Sequence, residues 1–175
     1  NPLFGATAAL LLDSVTVGSI IDNDFTGNST DYLIHNVSPY SLKGISGNYL
    51  LSGSVNIAHV YVDTTRFDQI ITAGNVWDQS GWTFEVDCNI SIGSPGEVSI
   101  LGEGSKYLFS SGQIRLEGGT LIIDGSTFLP IVFDDASESG TTSFSGIDVA
   151  ATAEAYITMN HVDWNEGGMY FEGST

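Results

Sequence analysis

The sequence is short of the residues that crosslink a chain or attract polyanions. Cys88 is the single cysteine among 175 residues, so an intrachain disulfide is excluded. Lys and Arg number only four against 21 Asp and Glu, which gives a formal net charge of −17. This negative field repels nucleic acid, anionic lipid and acidic polysaccharide unless cations bridge the contact, so we expect no nucleic-acid partner.

Helix-forming stretches and long apolar runs are also missing. No apolar run reaches the roughly 20 residues of a membrane span, so we expect none in this segment. Gly contributes 21 residues and Met only two, a composition that favours short strands joined by tight turns. The chain begins with NPLFGATAALLLDS, which has no basic signal-peptide start, and it ends just after an apolar strand. We therefore interpret it as a segment of a longer polypeptide.

Alternation of apolar and polar residues marks the clearest strand, TFEVDCNISI at residues 83–92. The apolar positions are Phe84, Val86, Cys88, Ile90 and Ile92. This period of two predicts one β-strand across the whole run. It also places the Cys88 thiol in the core, where we expect a structural role.

Beyond residue 92 the predicted strands are three to five residues long and closely spaced. Apolar centres at Ile100, Ile122, Ile147 and Tyr170 are 22, 25 and 23 residues apart, which is a solenoid repeat length. Three short strands per coil, each pairing with its equivalent one coil away, predict an all-β parallel β-helix. We expect about 22–25 residues per coil and about seven coils. In this arrangement the neighbouring runs TLIID (120–124) and PIVFD (130–134) need not pair with each other, and Pro130 stands at the start of the second run.

The first part of the chain is less regular than the rest. TAGNVWDQSGW, residues 72–82, is predicted to be a loop. It divides the chain into a strand-rich segment, 1–75, that precedes the coils, and the β-helix coils of 76–175. SVNIAHVYVD at 54–63 is apolar on both faces, which predicts a strand covered on both sides.

Residues 76–175 resemble the right-handed parallel β-helix repeat domain of secreted bacterial cell-surface and adhesin-like proteins. The resemblance rests on NISIGSPGEVSILGEGSKYLF, GQIRLEGGTLIIDGSTFLPIVFDD and FSGIDV, with AYITMNHVDWNEGGMYFEGS similar to the later coils. Phe144 stands where that family usually has Trp. The family's motif holds no catalytic residue, so none transfers to this chain.

This resemblance implies a secreted, extracellular solenoid and a non-catalytic structural or adhesive module at the cell surface, as in filament stalks. The partners expected are neighbouring repeats of the same polypeptide and surface glycans or proteins. Two alternatives stay open: a polysaccharide lyase or hydrolase domain, and a segment of a phage tail spike or fibre. A fold alone does not choose between them.

The residues needed for sugar cleavage are sparse. A lyase uses a base and cations to neutralise a uronate carboxylate, whereas this chain has only Lys43, Arg66, Lys106 and Arg115. Asp134 and Asp135 are adjacent, so in a strand their side chains point to opposite faces. The histidines His35, His59 and His161 lack zinc-ligand spacing. We therefore expect no catalytic residue and no enzyme activity.

Calcium is the one cofactor considered, and two short stretches could supply ligands. DNDFTG places Asp22, Asp24 and Thr26 at alternate positions, as at the start of a calcium-binding loop, although position twelve is Leu33 rather than Glu. Asp163 and Glu166 in HVDWNEGG form the second candidate. An Asx-rich turn explains the first stretch equally well, so without cation binding we expect no cofactor.

Surface recognition and glycosylation have their own candidates. Exposed indole rings could stack on sugars, which makes Trp77, Trp82 and Trp164 candidate glycan contacts, with stacking between coils as the alternative. The candidate glycosylation positions, from N-x-S/T and Asp-Ser/Thr-apolar motifs, are Ser14, Asn28, Asn36, Thr64 and Asn89.

Overall fold

The computed structural model of the chain is almost wholly β. It describes residues 8–12, 18–25, 32–46, 48, 56–60, 70–136, 145–150, 154–165 and 168–171. These residues form eighteen strands and one 3-10 helix, Pro39–Gly44. No helix in these ranges has the length and apolar character needed to cross a membrane.

The strands are short, from two to six residues each. The first nine are β1 (Ala8–Leu11), β2 (Ile20–Ile21), β3 (Tyr32–Val37), β4 (Ile45–Ser46), β5 (Asn56–Val60), β6 (Ile70–Ile71), β7 (Asn75–Trp77), β8 (Trp82–Asp87) and β9 (Ile90–Gly93). The other nine are β10 (Glu97–Ile100), β11 (Lys106–Ser111), β12 (Ile114–Glu117), β13 (Gly119–Asp124), β14 (Ile131–Asp135), β15 (Gly146–Val149), β16 (Ala155–Asn160), β17 (Val162–Trp164) and β18 (Gly168–Phe171).

Strand pairing defines a three-sided coil that stacks on itself. The first sheet has the order β1-β3-β5-β8-β11-β14-β17, the second β6-β9-β12-β15-β18 and the third β7-β10-β13-β16, with β2 and β4 as a separate pair. All of these pairings are parallel. From β8 to β15 each strand therefore pairs with the third strand before it and the third strand after it. The predicted parallel β-solenoid is confirmed.

The number of turns differs from the sequence-based expectation. The described chain has about four turns rather than the seven predicted. The difference arises because, among the described residues, the first sheet has seven strands, whereas the second has five and the third has four and begins at β7. The first sheet runs across residue 75, and the predicted division of the chain there stays a prediction.

The two strands that flank GSTFL belong to different sheets, as predicted. β13 pairs with β10 and β16, whereas β14 pairs with β11 and β17. Pro130 lies immediately before β14, where its missing N–H removes no bond from the ladder. Each strand therefore receives its backbone partners from neighbouring coils rather than from its neighbour in sequence.

Two strand boundaries differ from the predictions. The run 83–92 is interrupted at Cys88–Asn89, where the chain turns from the first sheet to the second. Cys88 is buried and Asn89 exposed, so the inside-outside alternation continues through this corner and conceals it in the sequence. The predicted loop 72–82 contains β7 and the first residue of β8, because both segments add strands to existing sheets.

The predicted repeat is correct in length but shifted in phase. Ile100 pairs with Ile123 rather than Ile122, and Ile147 pairs with Ile114 on the second sheet. The reason is an insertion: equivalent positions on the third sheet are 23 residues apart from Val98 to Leu121 but 36 apart from Leu121 to Ile157. Residues at a constant spacing in the sequence therefore fall on different sheets of the solenoid in successive coils.

Stacked aromatic rings fill the interior behind the first sheet. We call Phe84, Tyr107, Phe133 and Trp164 the aromatic ladder. Its successive ring centroids are 4.9, 5.1 and 5.0 Å apart, with interplanar angles of 20°, 13° and 28°. In-register parallel pairing sets this spacing, because neighbouring strands lie about 4.8 Å apart and equivalent side chains point the same way.

Aliphatic side chains fill the rest of the interior. Ile90, Ile114 and Ile147 stack in register behind the second sheet, and Val98 and Leu121 do so behind the third. All five are at most 1% exposed. These aliphatic side chains and the aromatic ladder therefore belong to one apolar interior.

Glycine permits close contact where one coil crosses the next. Gly96 lies between β9 and β10, where its N–H donates to the Gly93 carbonyl at 2.6 Å and its own carbonyl accepts from the Thr120 N–H at 2.9 Å. A Cβ atom at Gly96 would overlap the carbonyl oxygen of Ile71. Gly74, in contrast, has nothing within 4 Å of its ideal Cβ position.

Truncating the centre of the aromatic ladder should destabilise the whole stack. We expect Phe133→Ala to lower the free energy of unfolding by about 3–5 kcal/mol, because it leaves a cavity between Tyr107 and Trp164. Phe128→Ala is the matched control, since Phe128 is 93% exposed, and should change stability by no more than about 0.5 kcal/mol. Chemical denaturation measures both, and equal losses would contradict the interior role of the ladder.

Two glycine substitutions separate steric contact from backbone entropy. Gly96→Ala should cost about 1–3 kcal/mol of stability, because the Ile71 backbone must move. Gly74→Ala should leave stability unchanged or raise it by up to about 1 kcal/mol, because the added methyl group meets open space. Thermal unfolding of the two variants gives the comparison, and a Gly96→Ala protein as stable as wild type would refute the close contact.

Candidate functional site

The first calcium candidate includes a turn that is held by hydrogen bonds of side-chain amides. Asp22 and Asp24 are exposed, whereas Thr26 lies outside the described residues. Between them, the Asn23 backbone N–H donates to Asn48 Oδ1 at 3.0 Å and its side-chain amide donates to the same oxygen at 3.1 Å. Asn48 in turn donates to the Ile20 carbonyl at 2.8 Å. Side-chain amides thus hold this turn to the next coil.

The second calcium candidate is only partly described. Asp163 is exposed on β17 and pairs in register with Val132, whereas Glu166 lies outside the described residues. Among the residues that the structure places, no three His, Cys, Asp or Glu side chains gather as metal ligands. Calcium binding by either stretch stays a prediction.

The three tryptophans lie inside the coils or against the interior. Trp77 is fully buried and Trp82 is 4% exposed, so their rings are not available to a surface glycan, which corrects the prediction for both. Trp164 is half-buried at one end of the aromatic ladder. The physical cause is the inward direction of alternate strand residues, together with cover from neighbouring coils.

The glycosylation candidates are only partly placed. Asn36 is half-buried in β3 with φ of 61°, and Asn89 is exposed at a corner, where its Oδ1 accepts from the Gln113 N–H at 3.2 Å. Ser14, Asn28 and Thr64 lie outside the described residues. Modification of any of these positions stays a prediction.

The adjacent carboxylates Asp134 and Asp135 end β14 on the first sheet. Asp134 accepts from the Asp135 backbone N–H at 2.9 Å and from the Asn165 side-chain amide at 2.9 Å. The bond from Asn165 connects one coil to the next, which is a structural use of the Asp134 carboxylate. Of the histidines, His35 is half-buried, and His161 is exposed and hydrogen-bonded to Thr127 at 3.1 Å.

Buried amides join the regular coils to the preceding segment. Asn75 donates to the Tyr40 carbonyl at 3.0 Å and accepts from the Trp77 indole N–H at 2.7 Å. Gln79 donates to the Leu42 carbonyl at 2.8 Å and to the Ile45 carbonyl at 2.5 Å. Since both side chains are at most 5% exposed, these bonds satisfy carbonyls of the 3-10 helix and of β4 that water does not reach.

Burial changes the acid-base behaviour of two side chains. Complete burial raises the pKa of the Tyr107 hydroxyl well above its ordinary value. Partial burial lowers the pKa of His35, and the negative charge of Glu85 opposes part of that shift. Glu85 also accepts a 2.5 Å hydrogen bond from the Tyr32 hydroxyl. These groups lie on different sides of the first sheet, so they form no common reaction centre.

The most distinctive exposed feature is an apolar corner between the third and first sheets. We name it the Phe128 corner and define it as Leu101, Glu103, Phe128 and Leu129. Phe128 is 93% exposed, Leu129 52% and Leu101 40%. Sequence reasoning missed it, although GSTFLP carried a signal: two large apolar residues in a segment between strands.

The loop that carries Phe128 is held by hydrogen bonds on both sides. Within it, the Leu129 N–H donates to the Ser126 carbonyl and hydroxyl, each at 3.2 Å, and the Ser126 N–H donates to the Leu129 carbonyl at 3.3 Å. The Gly104 N–H donates to the same Leu129 carbonyl at 3.0 Å. Thr127 contacts His161 on the other side. The loop is therefore fixed to the coil before it and the coil after it.

Acidic residues accompany this apolar corner. Asp78 and Glu103 are exposed in the turns that follow β7 and β10, and Asp124 is the exposed last residue of β13. Elsewhere, Arg115 lies 3.1 Å from Glu117 and 3.9 Å from Asp148, and the Lys43 ammonium lies 4.1 Å from the Tyr40 ring centroid. Lys106, an exposed residue at the start of β11, follows Glu103 by three positions and pairs in register with Val132, so it is the basic residue nearest to the Phe128 corner in the described part of the strand register.

Comparison with known proteins adds no relative to this description. No protein-family model, no curated protein and no solved structure matches the chain. The function must therefore be argued from the solenoid, its charge and its surface.

Removing the buried hydroxyl of Tyr107 should change how stability depends on alkaline pH. The unfolded chain loses this proton near the ordinary tyrosine pKa of 10.0, whereas the folded chain keeps it to higher pH. Raising the pH above about 10 therefore favours unfolding. We expect the stability of wild type relative to Tyr107→Phe to fall by up to about 1.4 kcal/mol per pH unit in this range.

Denaturant titrations between about pH 8 and about pH 11 measure this difference. Tyr156→Phe is the matched control, because Tyr156 is 67% exposed on the outer face of the third sheet. Its pH dependence should match that of wild type. Identical slopes for wild type and Tyr107→Phe would contradict the burial of the hydroxyl.

Proposed function

We propose that this chain is a non-catalytic structural and adhesive module of a secreted, cell-surface protein. In this role it is a stiff acidic solenoid spacer that presents corner loops to glycan or protein partners. The observation that carries the proposal is the aromatic ladder within an unbroken seven-stranded parallel sheet. Such a core makes the stacked coils one mechanical body rather than a set of independent units.

Stiffness follows from how the coils contact one another. The backbone hydrogen bonds between strands of neighbouring coils run along the solenoid axis, so bending the axis strains many of them together. Ring stacking at about 5 Å fills the space behind the first sheet, so little free volume is left for one coil to slide over the next. A spacer needs this resistance, because it must keep its ends apart under load.

The large negative net charge of the chain supports a location at which copies of the protein must stay soluble and separate from one another. With a net charge of −17 and four basic residues, neighbouring copies repel one another over the Debye length of about 8–10 Å. Secretion and location at the cell surface are part of the proposal and rest on the sequence resemblance described above. The lone buried cysteine is compatible with an oxidising exterior, because Cys88 is only 6% exposed.

The proposal is tested by locating the native protein in the organism that encodes it. Antibody raised against the purified chain, detected with gold in electron micrographs, should label intact, unpermeabilised cells along thin surface filaments. Label should disappear when the antibody is first incubated with the purified chain. We expect the filament form because stacked coils extend along one axis.

Other distributions would overturn the proposal in distinguishable ways. Label that appears only after permeabilisation would contradict the surface location. Label on compact trimers of virus particles would favour a tail spike. A discrete secreted monomer that shortens neutral or acidic polysaccharides, measured by release of reducing ends, would favour the enzyme alternative.

A further inference from the structure

We propose that the Phe128 corner is a docking surface for a positively charged protein segment that carries apolar side chains. The inference rests on an exposed, fixed apolar group and on carboxylates in the same corner of three successive coils. It names the adhesive surface of the proposed function and in that sense rests on it. The contact itself can be tested separately from where the protein is located.

The exposure of Phe128 has an energetic cost without a partner. A Phe ring that is 93% exposed contributes almost nothing to the interior, yet it orders water around its whole apolar surface. Leu101 and Leu129 are further exposed apolar residues of the segments that join the third sheet to the first in two successive coils. Contiguous exposed apolar groups with a polar rim are typical of protein-interaction sites.

The corner is also preorganised for binding. The Leu129 carbonyl accepts from two directions, from Ser126 within the loop and from Gly104 in the coil before it. Gly104 has φ of 68°, a conformation that favours glycine, and an added Cβ would lie 3.6 Å from the Leu129 side chain. A loop held in this way loses little conformational entropy when a partner binds.

Charge decides which partner fits. Asp78 and Glu103 follow β7 and β10, and Asp124 ends β13, so these exposed carboxylates lie at one edge of the third sheet in three successive coils. A second copy of the chain, at −17, would be repelled, as would an anionic membrane. A cationic segment gains attraction from the carboxylates, and an Arg guanidinium can stack on the Phe128 ring.

The neighbours of Phe128 distinguish a protein partner from a glycan. Leu101 and Leu129 offer no hydrogen bond to sugar hydroxyl groups and complement Leu, Val or Ile side chains of a peptide. The carboxylates could accept from hydroxyl groups, but they bind Arg or Lys more strongly because the opposite charges attract. Aromatic residues at the centre of an apolar patch commonly dominate the affinity of protein-protein contacts. The chemistry of the corner therefore favours a segment that combines Arg or Lys with aliphatic residues.

The test uses the whole 175-residue chain and three labelled synthetic peptides of equal length. The first alternates Arg with Leu, the second Arg with Ser and the third Glu with Leu. Fluorescence anisotropy at about 0.15 M salt measures binding, so that weak surface attraction is largely screened. We expect the Arg-Leu peptide to bind and the other two to bind at least about tenfold more weakly.

Substitutions then identify the surface that binds. Phe128→Ser should weaken binding of the Arg-Leu peptide about thirty-fold, the loss typical of a truncated dominant contact residue. Tyr156→Ser, which removes another exposed aromatic ring on the outer face of β16, should leave the affinity unchanged. Glu103→Gln should weaken binding a few-fold and reduce its salt dependence, whereas Glu97→Gln, at an exposed position of β10, should do neither.

Several results would overturn the proposal. Equal affinities for wild type and Phe128→Ser, or for the Arg-Leu and Arg-Ser peptides, would mean that the acidic surface attracts any cation without using the corner. Preference for the Glu-Leu peptide would contradict the role of charge. Dimerisation in sedimentation velocity that Phe128→Ser abolishes would identify a second copy as the occupant instead.

The fold and the proposed function can be separated from this outcome. Phe128→Ser should unfold at the same denaturant concentration as wild type, because the side chain lies outside the core. A protein that fails to label at the cell surface but binds the Arg-Leu peptide through Phe128 would refute only the location. A surface-labelled protein that does not distinguish the peptides would refute only the docking site.

Discussion

In-register parallel pairing between coils is the constraint on which the rest of this structure depends. A short strand such as β11 has no partner in its own coil, so its backbone groups must bond to β8 below and β14 above. This pairing aligns equivalent residues along the axis, which places Phe84, Tyr107 and Phe133 directly over one another. The aromatic ladder is therefore a consequence of the backbone register as well as a source of stability.

The same constraint assigns different roles to strands and corners. Strand residues must alternate between the apolar interior and the outer face, and their positions are tied to two neighbouring coils. Corner segments have no such alternation, so a coil can lengthen there without disturbing the sheets. The segment between β13 and β14 uses this freedom to place Phe128 outside the fold, while Ser126, Gly104 and His161 hold its loop in position.

Charge and packing act on this solenoid in opposite directions. A net charge of −17 favours expansion of the chain, while the filled interior and the axial hydrogen bonds oppose it. Local pairing reduces the repulsion on the second sheet, where Arg115 lies between Glu117 and Asp148. Among the residues that the structure describes, the carboxylates of Asp78, Glu103 and Asp124 form no ion pair, so this corner attracts a cationic partner more than a second copy.

The sequence by itself determined the class of fold and the inside-outside pattern of its strands. Short apolar runs, frequent glycine and a repeat of about 23 residues predicted the parallel solenoid, and alternation correctly placed Phe84, Val86 and Cys88 inside. These features are local, because each depends on residues within one or two strands. The phase of the repeat was not predictable, because insertions of unknown length lie in the corners.

Only the tertiary structure decided which aromatic residues meet water. Trp77 and Trp82 are of a residue type that is common in surface recognition sites, yet strands from neighbouring coils cover them. Phe128 is of a residue type that is common in protein interiors, yet it is exposed. Side-chain chemistry does not distinguish these cases. Exposure depends on contacts between residues more than twenty positions apart, and those contacts exist only once the register between coils has been established.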